Sequence, residues 1–282
     1  PGNITARFEG RAGRSAQRKV TSDALIGSDG INSHLRQLLL SDGEPLDAGR
    51  VLWRAVIHDA AAVARLEADA GIPRGTSRAM LPTMTPGVVG KTALLMDVGP
   101  DKLYWAAGAL DDVIQQEQGE DDGDMDVVAR IRRHFGNVGE VMACLEETPP
   151  GNTFESRVFD REPLYADDVT WQGPIALIGD AAHAVIPSIG MGACLALEDA
   201  LELGQHLSCT DQHLSKEEIS SALRRFEGSR YPRTAEVQVA SRELALQSYG
   251  QPKLDTSKSS TQQSFQSLQQ ELMHYPDPVP AS

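Results

Sequence analysis

One stretch constrains the fold more than any other: IALIGDAAHAVIPSIGMGACLALEDA, Ile175 to Ala200. It opens with the apolar run Ile175–Ile178, which reads as a buried strand. The carboxylate of Asp180 follows, then a loop of small residues with Pro187 and the paired glycines 190 and 192. It closes as an Ala-rich helix starting near Gly192, with Ala193, Ala196, Leu197, Ala200, Leu201 and Gly204 at helical spacing and so expected as its core-facing stripe. A buried strand that delivers a carboxylate and leads into an apolar helix belongs to an α/β layer, in which ligands bind beyond the carboxyl ends of parallel strands. An echo lies far upstream, where Ala24–Gly27 (ALIG) leads to Ser28, Asp29 and Gly30, as Ala176–Gly179 leads to Asp180. Two such strand tips can present two carboxylates to one ligand.

The loop after Asp180 is suited to a large ligand. Ala181, Ala182 and Ala184 let it approach the backbone, Pro187 fixes one φ angle, and Gly190 and Gly192 leave amide groups open. The expected helix start adds unpaired N–H groups and a partial positive charge, which suits an anion or a carbonyl that becomes negative. The remaining chain divides around this core. Residues 1–49 read as two strands and a short helix from Ser33 to Leu40, with Asp42–Gly49 as a loop. Residues 50–165 read as a mostly antiparallel sheet with short helices, because VLWRAVIH and its successors alternate and are β-branched. Residues 166–210 return to the first layer. Residues 211–250 read as C-terminal helices that begin at the capping box Ser215–Glu218 and are kinked or divided at Pro232. The Gln- and Ser-rich tail, 251–282, is expected to be poorly ordered. The length, 282 residues, allows one large domain or two intertwined lobes.

Charge and composition exclude several functions. The net charge of −14 disfavours nucleic acid and anionic lipid as partners. No apolar run reaches the roughly 18 residues of a membrane span. Cys144, Cys194 and Cys209 lack metal or redox spacing and read as buried reduced thiols. The acidic run Gln115–Asp126 lacks the ligand offsets of a calcium loop and reads as a solvated cap for the next helix. His183 near Asp180 has no second ligand at metal spacing, so packing or hydrogen bonding is the preferred role. No serine-hydrolase elbow is present. Asp180 has a purely structural alternative, and Asp29 can simply cap the helix that starts near Ser33. The chain begins at Pro1 rather than Met and reads as a fragment or processed product.

GDAAHAVIPSIGMGACLALEDA resembles the second flavin-binding motif of the FAD-dependent aromatic-hydroxylase superfamily, and DALIGSDGINSHLR, Asp23 to Arg36, resembles that superfamily's Asp-Gly motif. The wording PSIGMGACLALEDA is similar to salicylate-hydroxylase-like and zeaxanthin-epoxidase-like members. The resemblance implies a partial Rossmann-like FAD-binding domain of mixed α/β (α+β) class, an inserted substrate-domain sheet and C-terminal helices. It places Asp180, with Gly179 and Ala181, at the FAD ribityl chain and Pro187 beside the isoalloxazine. It sets Gly190, Met191, Gly192 and Ala193 at the pyrimidine end of the ring. Asp29, Gly30, Ser33 and Arg36 fall near the pyrophosphate, in a motif implicated in both FAD and NAD(P)H binding. Trp53, Arg54, Asp160 and Arg161 match recurring positions of structural character. The implied reaction is reduction of the flavin by NAD(P)H and transfer of one oxygen atom from O2 to a small aromatic or polyene substrate, with no side-chain nucleophile. The implied compartment is a plastid for a carotenoid-epoxidase type and the cytosol for a salicylate type. The superfamily's opening GxGxxG unit does not occur in the sequence. The alternatives are a non-catalytic binding or scaffold module, and a flavin oxidoreductase that transfers no oxygen.

Overall fold

The computed structural model describes residues 4–8, 18–69, 71, 77–80, 90–117, 125–208 and 214–249. They fall into two compact units. One is drawn from Pro1–Leu46 and Phe159–Arg242, the other from Asp47–Val158 and the described residues from Glu243 onward.

The first unit begins with an antiparallel hairpin of β1 (Ile4–Phe8) and β2 (Arg18–Ser22). The expected second strand, 19–28, is two strands. It breaks at Asp23, and β3 (Leu25–Gly27) leaves the hairpin to pair in parallel with β9 (Ile175–Leu177). The register is Leu25 with Ile175, Ile26 with Ala176 and Gly27 with Leu177. Alternation along this ribbon supplies two cores. Leu177 packs with Leu164, Ala181, Ala182 and Tyr231 and with Leu35 and Leu39 of α1 (His34–Leu40). Ala176 and Ile26 pack instead with Leu203 of α7 (Gly192–Leu207) and with Leu223 and Phe226 of α8 (Lys216–Ser248). Gly27 is a site of close approach, since a Cβ there would lie 2.7 Å from both Leu177 Cδ2 and Leu35 Cδ2.

Helix α8 starts at the expected capping box, where Glu218 accepts the Ser215 backbone N–H and hydroxyl and its own N–H donates to Ser215 Oγ. It runs as one helix of 33 residues through Pro232, so the expected division there does not occur.

The second unit is a five-stranded sheet in the order β5-β6-β7-β4-β8, where β4 is Leu46–Ile57, β5 Ser77–Met80, β6 Lys91–Gly99, β7 Lys102–Leu110 and β8 Phe154–Asp160. The pairs β5–β6, β6–β7 and β7–β4 are antiparallel. Strand period two sends Trp53, Ala55 and Ile57, with Leu95, Leu103, Trp105 and Ala107, to one face. There they bury against α2 (Ala60–Asp69), α4 (Val127–Phe135) and α5 (Gly139–Glu146), through Leu66, Ile131, Phe135, Val141 and Leu145. The indole N–H groups do not stay unpaired: Trp105 donates to Thr148 Oγ1 at 2.9 Å and Trp53 to Glu155 Oε2 at 2.6 Å.

Three further expectations are corrected here. Strand β4 begins at Leu46, inside the stretch read as a loop, and the start of the acidic run is helical, as α3 (Asp111–Glu117). Asp126 does cap α4, accepting the Ala129 N–H at 2.7 Å. The tail 251–282 and Cys209 lie outside the described residues. Cys144 is buried, whereas Cys194 is exposed, so a buried thiol is not the rule.

Candidate flavin site

The parallel pairing of β3 and β9 puts both strand tips at one end of the ribbon. Ser28, Asp29 and Gly30 leave there from β3, and Ile178, Gly179 and Asp180 leave from β9. The geometry after β9 depends on Gly179. Its backbone has φ 58° and ψ −147°, a conformation open in practice only to glycine. This bend starts the single turn α6 (Asp180–His183), in which the N–H groups of Ala182 and His183 both donate to Gly179 O at 2.9 Å. Ala181, Ala182 and His183 face inward while Asp180 faces solvent. Among the described residues, the Asp180 carboxylate has no hydrogen-bond or ion-pair partner.

Below Asp180 lies a buried charge network. Asp199, on α7, accepts the Gly179 N–H at 2.7 Å and His183 Nε2 at 2.6 Å on Oδ2, and Arg230 Nε at 2.9 Å on Oδ1. Arg230, on α8, also donates to Glu198, which Arg233 grips with two bonds of 2.8 Å. Asp199 and Arg230 are 1% and 0% exposed, so removing either partner would strand a charge in the interior. Burial works against the charge on Asp199, but the His183 and Gly179 hydrogen bonds and Arg230 outweigh it and hold the carboxyl below its ordinary pKa.

A second brace comes from α1. Arg36, 1% exposed, donates from Nη1 to Ala182 O at 2.6 Å and more weakly to Ala181 O at 3.4 Å. Its Nη2 donates to Glu162 O at 3.0 Å, and its Nε meets Asp42. Arg36 is held in place because α1 is firmly capped. Ser33 accepts the Arg36 N–H and donates to Asp29 Oδ1, while Asp29 Oδ2 accepts the His34 N–H at 2.9 Å. Slight burial opposes the charge on Asp29, but the Ser33 hydroxyl and the Leu35 and His34 amides together lower its pKa. The capping alternative for Asp29 therefore describes a bond that exists.

Downstream of α6 runs the loop from Pro187 to Ala193. Pro187, Gly190 and Ala193 are exposed, Gly192 is half-buried and Met191 points inward at 4% exposure. Gly190, with φ 77°, would have nothing within 4 Å of an added Cβ, so what it contributes is backbone conformation rather than a tight fit. Among the described residues no side chain caps the start of α7, which leaves its first amide groups for another acceptor. The stripe expected to face the core is reversed in part. Leu195 and Asp199 are the buried positions of α7, while Ala193, Leu197, Ala200, Leu201 and Gly204 are exposed.

The twelve residues singled out in the sequence thus separate by direction. Asp180, Asp29, Pro187, Gly190 and Ala193 are exposed, with Gly30 and Gly192 half-buried. Ser33, Arg36, Gly179, Ala181 and Met191 are buried and can act only by holding the backbone or through it. Asp199 and Arg230 were not anticipated. The available signal was the match between acids at 198, 199 and 202 and bases at 230 and 233 on two consecutive helices. Among the described residues no three His, Cys, Asp or Glu side chains gather as a metal site.

The fit to a flavin nucleotide can be tested on these facts. An unpaired carboxylate suits polyol hydroxyls, an uncapped helix start suits the electron-poor end of a ring that gains charge, and the small loop residues leave room for it. Residues 2–238 match the family described as FAD binding domain. The chain belongs to the FAD binding domain family. This FAD binding domain protein is 31% identical over 218 residues to the aurachin C monooxygenase/isomerase of Stigmatella aurantiaca, covering 77% of this chain and 49% of that one. It is 27% identical over 241 residues to the chloroplastic zeaxanthin epoxidase of Nicotiana plumbaginifolia, covering 81% of this chain and 32% of the relative. Among solved structures it is similar to Klebsiella pneumoniae HpxO complexed with FAD and uric acid, with a TM-score of 0.66 and 25% identity, over 96% of this chain and 59% of that one. The chain spans half or less of the length of these curated relatives. The two curated relatives are named as a monooxygenase/isomerase and an epoxidase, and the mixed α/β fold of this chain is shared with the FAD-bound HpxO structure. No helix among the described residues is long and apolar enough to cross a membrane.

Proposed function

We propose that this chain carries the ribityl- and ring-facing part of the FAD site of a flavoprotein monooxygenase, which uses NAD(P)H and O2 to hydroxylate or epoxidise a small aromatic or polyene substrate. The observation that carries this reading is the unpaired, exposed carboxylate of Asp180 at the shared tip of β3 and β9, in the same loop system as the uncapped start of α7. When bound, FAD supplies hydride acceptance and oxygen activation. The protein's own residues bind and orient. Asp180 accepts hydrogen bonds from the polyol. The amide groups at the start of α7 face the end of the ring where negative charge collects, which favours the reduced state. Pro187 and Ala193 border the ring with small apolar side chains, and Pro187 adds no N–H. The relatives named for monooxygenation and epoxidation support the reaction class, and the uric acid in the HpxO complex supports a small planar substrate.

The test is direct. The purified protein is titrated with FAD and the quenching of flavin fluorescence is followed. Asp180→Ala is expected to weaken binding by about tenfold or more, since one charge-assisted hydrogen bond contributes about 1.5–3 kcal/mol. Unchanged affinity would remove Asp180 from the site. With NAD(P)H and a panel of phenols, N-heterocycles and polyenes, labelled O2 should deliver one labelled oxygen to the product. NAD(P)H oxidation that yields only hydrogen peroxide with every substrate would favour an oxidoreductase that transfers no oxygen.

A further inference from the structure

The geometry points to His183 and Asp199 as positioning residues that hold the Asp180 turn in its ligand-facing shape. This rests on the FAD reading of that turn. Among the described residues Asp180 has no partner of its own, so within them its direction is set by the backbone on either side. Asp199 fixes both sides at once. Its Oδ2 accepts the N–H of Gly179, immediately before Asp180, and the ring of His183, three residues after it, at 2.7 and 2.6 Å. The turn is therefore clipped at its entrance and its exit by a single oxygen. The carboxylate is anchored from behind by Arg230 Nε at 2.9 Å, so it does not swing to follow the turn. A carboxylate oxygen 2.6 Å from Nε2 is met by a proton on that nitrogen. Nδ1 is buried and has no partner among the described residues. His183 is 2% exposed and so reaches no ligand with its own ring. Its part is to donate one hydrogen bond at a fixed place. A residue that supplies only an N–H at the Nε2 position should be able to replace it. Glutamine does so, because its amide nitrogen lies at nearly the same reach.

The experiment has two independent readouts. The first is hydrogen exchange at the amides of Gly179, Ala182 and His183, with the amides of α8 as the reference for global opening. The second is FAD affinity by fluorescence titration. His183→Ala is expected to speed exchange at the three turn amides by about tenfold beyond any change in α8, and to weaken FAD binding by about tenfold. His183→Gln should restore both to within about threefold of the wild-type protein. In an Asp180→Ala background, His183→Ala should cost less than about twofold further in FAD affinity, because the two residues act as one unit. Turn amides that exchange in His183→Ala as in the wild-type protein would overturn the proposal. So would FAD losses that add in full in the double variant, which is what simple loosening of the fold produces. A wild-type protein that binds no FAD would sink the flavin reading, while the exchange measurement would still decide whether Asp199 and His183 hold the turn.

Discussion

Glu227 shows how a single buried group writes a pH dependence into this fold. It is 1% exposed on α8, and neither of its oxygens accepts a hydrogen bond among the described residues, although the Arg224 guanidinium lies beside it. Burial pushes its carboxyl up to about 7, with Arg224 acting only partly against that. The folded state therefore holds its proton more tightly than the unfolded chain, whose value is near 4.5. Stability falls as pH rises between those two values and is constant above them. Glu227→Gln should gain about 3 kcal/mol over the wild-type protein at pH 8, a gain that vanishes near pH 4, as urea unfolding at the two pH values would measure. A constant difference at both values would refute the assignment. Asp199 and Glu198 have the opposite sign, since their lowered carboxyl pKa values contribute stability that is lost as pH falls through the acid range.

At the scale of elements, α7 is the most informative case. Leu197 is 72% exposed while Leu195, two residues earlier, is fully buried. Leu197→Gln should change the unfolding free energy by less than about 0.5 kcal/mol, whereas Leu195→Ala should cost about 2–5 kcal/mol. Thermal melts of the two variants, measured side by side, check this. A sequence cannot show it, because period 3.6 reveals that α7 has an apolar stripe but not which neighbour meets that stripe. The helix turns an aspartate inward instead, since Arg230 and the turn after β9 are there to receive it. The same limit explains Asp23, where the strand pattern is continuous yet the chain changes sheets. It also explains β4, whose sheet neighbours β7 and β8 lie far along the chain. What was legible was local chemistry: the capping box at Ser215, the cap at Asp126, the strand alternation from Val51, and the glycine and aspartate at both strand tips. What was not legible was tertiary choice: the inward turn of Arg36, the clip made by Asp199, and the uninterrupted passage of α8 through Pro232.

For the molecule as a whole, the net charge of −14 sets the terms on which an anionic cofactor arrives. FAD and NAD(P)H carry pyrophosphate, so the average field opposes their approach. Raising ionic strength from about 10 mM to about 150 mM should speed FAD association, as stopped-flow fluorescence would report. A rate that falls with salt would mean that a local basic surface overrides the global charge. Arg36 has a consequence for how such a site can be dissected. Its helix is capped by Asp29, and its guanidinium grips the carbonyls just past Asp180. A change at the first aspartate is thereby passed on to the second through less than one turn of helix and one side chain. Cofactor contacts charted by altering these aspartates one at a time would score a single mechanical joint as two separate handholds.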